Sequence, residues 1–199
     1  MSDLPELLRL KVSQSPRRPT RKVLNLLEHV IIVVPEKPSS KLLRTIPHGT
    51  QLKRLLTRIG GPIVGSRLQN DNATGLTLAV FTADSAFDRL TWAKQVIASC
   101  QRDNPRTIGV FTAGLDSDTG TKALTSLIAA AEAAAFQMPS FKSKKAKQQR
   151  LSNLKLLGCK PRIELQEIRA ESLGNNIARW FTALPPNKLN AHTYRQAVQ

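Results

Sequence analysis

The sequence predicts an α/β fold, with strands alternating with helices around a largely parallel sheet. Three observations carry this. Short β-branched or apolar runs recur along the chain, at His29–Pro35, Leu76–Thr82 and Thr107–Thr112. Longer stretches with apolar residues at helical spacing stand between them. The strand candidates are apolar along their whole length rather than alternating, as strands covered on both faces are.

Taken in order, Ser13–Thr20 is polar and contains Pro, so residues 1–22 are expected as a flexible or edge N-terminal segment. His29-Val-Ile-Ile-Val-Val-Pro35 reads as a buried strand. Thr50 precedes Leu52, Leu55, Leu56 and Ile59 at helical spacing, and Gly60-Gly61 ends that helix. Pro62-Ile-Val-Gly-Ser66 starts a short strand, and Leu76–Thr82 is another buried one. Ala86–Cys100, with Leu90, Ala93, Val96 and Ile97, is an amphipathic helix. Thr107–Thr112 is a strand again. Thr121 through Met138 gives the longest helix, rich in Ala and stopped by Pro139. Leu151–Leu157 is a strand candidate, and Arg162–Ile168 reads as either a strand or a helix start. The segment to Leu184 is a helix running into Pro185-Pro186, and Asn190 caps a further helix from near Ala191. The expected organisation is a domain over 23–157, a linker over 158–172 and a new unit over 173–199.

Charge is the unusual property. Thirty Lys and Arg face fourteen Asp and Glu, a formal net charge of +16. Between Lys37 and Asn70 there are seven basic residues and no acidic one, and between Lys142 and Arg162 eight and none. Arg17, Arg18, Arg21 and Lys22 form a third cluster. Clustered positive charge attracts polyanions. The sequence therefore offers Lys142, Lys144, Lys145, Lys147 and Arg150, helped by Arg17, Arg18, Arg21 and Lys22, as contacts to DNA phosphates. Beyond Phe141 no aromatic residue interleaves with them, so base stacking is not expected.

Other chemistry is weakly represented. His29, His48 and His192 have no Cys, His or carboxylate partner at ligand spacing and read as structural. Cys100 and Cys159 match no metal spacing, and two thiols without a basic-then-apolar leader point to a reducing, cytoplasmic setting. No apolar run reaches the ~18 residues a membrane span needs, so no membrane partner is expected. Nucleophile elbow, His-Glu-x-x-His and phosphate-loop motifs are all missing from the sequence. Asp84 and Asp88 read as helix N-terminal carboxylates. The loop Thr112–Thr121 joins a strand to a helix, where α/β folds bind phosphates, yet Asp116 and Asp118 place negative charge there. A turn and helix cap are the expected roles.

The last quarter carries a family resemblance. Phe141-Lys142-Ser143-Lys144-Lys145 follows the Ala-rich helix, then come Asn176-Ile177-Ala178-Arg179 and Pro185-Pro186-Asn187. This order resembles the leucyl aminopeptidase family of dinuclear-metal exopeptidases, peptidase family M17. The likeness runs from Val23 to Gln199, its specific part from Ala129 to Asn187. Trp180 stands where the family usually has an acidic residue, and Ala183 where it usually has Asn. The resemblance implies a macro-domain-like N-terminal domain, with a mixed, largely parallel sheet flanked by helices, and residues 173–199 as the start of a catalytic domain. It implies no catalytic or metal residue and no cofactor within this chain. The family's two divalent ions, Zn or Mn, would belong to the catalytic domain, so aminopeptidase activity is expected only of a longer chain. Implied partners are that catalytic domain or a full-length homologue, with homo-oligomers. A second expectation, from the charge, is a basic DNA-binding module related to DNA-binding aminopeptidases.

Overall fold

The computed structural model describes residues 10–58, 60–139, 141 and 151–198. Its elements in chain order are β1 (Lys11–Ser15), α1 (Arg21–Asn25), β2 (His29–Pro35), α2 (Ser40–Thr45), α3 (Gly49–Arg58), β3 (Ile63–Arg67), β4 (Gly75–Phe81), α4 (Ala86–Gln101), β5 (Thr107–Thr112), α5 (Ser117–Ala135), β6 (Asn153–Leu157), α6 (Gln166–Ala183) and α7 (Ala191–Val198). The six strands form one sheet in the order β1-β6-β5-β2-β4-β3. All neighbours pair in parallel except β3, which runs antiparallel to β4. The expected α/β fold, a mixed and largely parallel sheet flanked by helices, is what the chain adopts.

Alternation along the central strands divides the core in two. Ile31, Val33, Ala79, Ile108, Val110, Leu154 and Leu156 face one side, where they meet Trp92, Val96 and Ile97 of α4, Leu127 and Ile128 of α5, and Ile168 of α6. Val30, Ile32, Val34, Leu76, Leu78 and Val80 face the other, against Leu24 of α1, Leu43 of α2 and Leu52 of α3. Both faces of β2 and β4 are therefore covered, which is why those strands carry no polar alternation. Trp92 crosses its ring with Phe81 at 4.9 Å between centroids, and its indole N–H donates to the Val80 carbonyl at 2.9 Å.

The polar N-terminal segment supplies β1, an edge strand paired in parallel with β6. The Gln14 side chain does the work of one more backbone pairing. Its Nε2 donates to the Ile163 carbonyl and its Oε1 accepts the Ile163 N–H, both at 2.9 Å. Residues 158–172, expected as a linker, contribute Cys159, Ile163 and Ile168 to the core. From Gln166 they are helix, and α6 runs unbroken past Leu173. The open choice at Arg162–Ile168 resolves as irregular chain leading into that helix. α5 begins at Ser117 rather than Thr121, because Asp116 caps it by accepting the Thr119 N–H at 2.9 Å. Asn190 caps α7 in the same way, accepting from Thr193 at 3.0 Å. Among the described residues no helix is long and apolar enough to cross a membrane.

Candidate functional site

The parallel strands end together, and the turns that follow them enclose a cavity of about 240 Å³. Its walls include Arg18, Leu42, Thr112, Asp116, Thr121 and Lys160. Gly114, at φ 77°, turns the chain into α5, and a side chain there would run into Leu42. Hydrogen bonding from Thr119 holds the Asp116 carboxyl below its ordinary value, so it stays ionised as the helix cap. Asp118 pairs with Lys122 at 2.5 Å, one turn along. The mouth of α5 thus presents two carboxylates where a phosphate would need donors, and the loop does the work of a turn and cap.

Two of the three histidines, His29 and His48, are built into the scaffold, while His192 is exposed on α7. His29 is 3% exposed, and its ring fills the space left by Gly75, where any side chain would collide with it. Its Nε2 lies 2.9 Å from Thr77 Oγ1, and the Cys100 thiol donates to the same oxygen at 3.4 Å. The other ring nitrogen, Nδ1, has no hydrogen-bond partner and faces Asp103 at 3.8 Å. Burial lowers the His29 pKa to about 4; the Asp103 charge works against this, and Arg67 adds to it. Desolvation outweighs Asp103, so the pair is not an ion pair at neutral pH. An Asp–His–Thr line of this kind resembles a nucleophile relay, but Thr77 is fully buried and no substrate reaches it. His48 sits at φ 61° between α2 and α3, its pKa lowered by burial and by Arg21. Burial pushes the Cys100 thiol up to about 12 and raises that of Cys159, so neither is poised as a thiolate. Among the described residues no three His, Cys, Asp or Glu side chains come together as metal ligands.

A larger groove, about 640 Å³, lies between α5 and α6 and is bordered by Glu132, Phe136, Ile163, Arg169 and Asn176. Glu132 and Arg169 approach to 3.8 Å across it. Arg179 fastens the two helices, donating to the Ala133 carbonyl at 3.3 Å and to Asn176 Oδ1 at 3.2 Å.

Lys142, Lys144, Lys145, Lys147 and Arg150 lie outside the described residues. Arg17 and Arg18 follow β1, Arg21 and Lys22 stand on α1, and all four are exposed. The fold brings this cluster to the same side of the sheet as a set the sequence reading did not assemble. Exposed Lys41 and Arg44 on α2, and Lys53, Arg54 and Arg58 on α3, join Arg21 and Lys22. The helices α1, α2 and α3 carry these seven cations and no carboxylate. On the opposite layer, α4, α5 and α6 carry five basic and five acidic residues. The acid-free run from Lys37 to Asn70 was the available signal; the sharing of one face with α1 is a tertiary fact.

No family model matches the sequence, and no curated protein matches it. Among solved structures the fold has clear neighbours. A mutant of tomato leucine aminopeptidase superposes with a TM-score of 0.62 at 16% identity, covering 98% of this chain and 42% of its own. Apo leucyl aminopeptidase from Trypanosoma brucei gives 0.56 at 15% identity, covering 96% and 41%. An M17 aminopeptidase from the same organism gives 0.53 at 14%, covering 94% and 40%. The chain has the fold of part of the leucine aminopeptidases. It spans about two fifths of their length.

Proposed function

We propose that this chain is the non-catalytic N-terminal domain of a leucyl-aminopeptidase-like metallo-exopeptidase, with residues 173–199 opening the catalytic domain. The observation that supports this most is the coverage: nearly the whole chain superposes, on about two fifths of the neighbour. The order of Phe141–Lys145, Asn176–Arg179 and Pro185–Asn187 supports it independently. In this reading the two divalent ions, Zn or Mn, belong to the catalytic domain. The described residues bring together no ligand set for them, so none is assigned a role at the metals. The domain's partners are then that catalytic domain or a full-length homologue in a homo-oligomer, in the cytoplasm.

The reading is tested with leucine anilide and added Mn²⁺ or Zn²⁺. The 199-residue chain should show no turnover above buffer, because an unactivated water does not attack an amide at a useful rate. Extending the parent reading frame beyond Gln199 should add the metal-site residues and the activity. Chelator-sensitive turnover by the short chain overturns the assignment.

A second reading, a basic DNA-binding module related to DNA-binding aminopeptidases, is favoured by one observation: the layer of α1, α2 and α3 carries seven cations and no carboxylate.

A further inference from the structure

We propose that the layer formed by α1, α2 and α3 is a docking face for duplex nucleic acid, held through its phosphates. The proposal rests on the nucleic-acid reading and assigns it a place other than the 142–150 cluster. Arg21, Lys22, Lys41, Arg44, Lys53, Arg54 and Arg58 are all exposed, and none takes part in an ion pair within the described residues. Of the carboxylates nearest in sequence, Glu28 precedes β2, and Glu36 after it borders a hollow with Lys53 without forming an ion pair. Seven unpaired cations against one neighbouring carboxylate create a positive field that a polyanion relieves by releasing its own condensed counterions.

The character of the surface selects the duplex among polyanions. The three helices carry no Phe, Tyr or Trp, so unpaired bases find nothing to stack on. Helices that lie on anionic membranes turn a broad apolar face outward. Here Leu24, Leu43 and Leu52 turn inward onto the sheet, and of the layer's large apolar side chains only Val23 and Leu26 are exposed. What remains outward is cationic and rigidly mounted, which suits backbone contact without base readout.

Anisotropy titrations with a labelled duplex of random sequence decide the matter. Binding should be indifferent to sequence, and engagement of about five phosphates gives a log–log salt slope near −4.5. Reversing Lys53→Glu, Arg54→Glu and Arg58→Glu together should weaken binding at least tenfold and make the slope shallower by about 2.7. The milder set Lys53→Gln, Arg54→Gln and Arg58→Gln, with the thermal midpoint measured alongside, keeps the result readable if the reversed form folds poorly. Lys94→Glu with Lys122→Glu, on the opposite layer, should change affinity little. If the α3 variants bind as the parent does while Lys144→Glu, Lys145→Glu and Lys147→Glu abolish binding, the docking face is misplaced and the nucleic-acid reading survives. Absence of binding at low salt, or binding to phosphatidylserine vesicles without binding to the duplex, overturns both.

Discussion

His29 shows how one residue can be explained without assigning it catalysis. Its ring occupies the volume that Gly75 leaves empty, and it shares Thr77 with the Cys100 thiol. Its folded pKa, about 4, lies below the 6.5 of an exposed imidazole. The unfolded chain therefore takes up a proton before the folded one. The stability contributed by neutral His29 is complete above about pH 6.5 and is lost as pH falls toward 4, a change of about 3 kcal/mol. Urea unfolding between pH 7.5 and pH 4 should show this loss, and His29→Gln should flatten the profile across that window. Equal slopes for the two proteins would mean that other groups govern the acid limb. A triad-like line was invisible in the sequence because His29, Thr77 and Asp103 are brought together only by the pairing of β2 with β4 and the return of the chain after α4.

Among the elements, α6 separates what can be read locally from what cannot. Ile168, Ser172 and Asn176 are buried, with Ile168 packed in the core, and Arg179 ties the helix to the Ala133 carbonyl of α5. Limited proteolysis should therefore cut between Leu184 and Asn190, beyond the last tie of α6 to α5, before it cuts within 158–179. Ile168→Ala, at a cost of about 2–4 kcal/mol, should open the helix to cleavage. Early cuts within 158–172 in the parent would show that α6 is not held. The sequence announced the end of this helix at Pro185-Pro186 but not its start, since Leu165 supplies no side-chain cap and the residues around it read equally well as a strand. β2, β4 and β5 were legible as unbroken apolar runs, and α3, α4 and α5 by their spacing. At five and six residues, α1 and α2 are too short to show a period. Their capping residues, Thr20 and Ser39, were the only local signals. β1, Lys-Val-Ser-Gln-Ser, is a strand because β6 is beside it and for no reason of its own.

At the scale of the whole molecule, the +16 charge is an energetic fact as well as a surface for partners. Seven like charges on one layer repel each other across distances that dilute buffer does not screen. Raising ionic strength from about 0.01 M to about 0.15 M shortens the screening length from about 30 Å to about 8 Å. Relief of about 1 kcal/mol would raise the thermal midpoint by about 2–4 °C in a chain of this size. Scanning calorimetry should show that rise, and Lys53→Gln with Arg54→Gln and Arg58→Gln should blunt it; a midpoint indifferent to salt would show the layer already compensated. The net charge was plain in the sequence, but the gathering of seven of its cations on one acid-free layer depends on which helices lie on which side of the sheet. The strand order sets a timetable too. β6 is inserted between β5 and β1, so β1 has nothing to pair with until residues 153–157 exist. On the ribosome, the N-terminal segment waits unpaired until β6 has been made. The Gln14–Ile163 clasp, joining residues 149 positions apart, closes only after that. A tag fused ahead of Lys11 would sit beside the last seam to close, and a nascent chain halted before β6 would leave that segment open to proteases and chaperones.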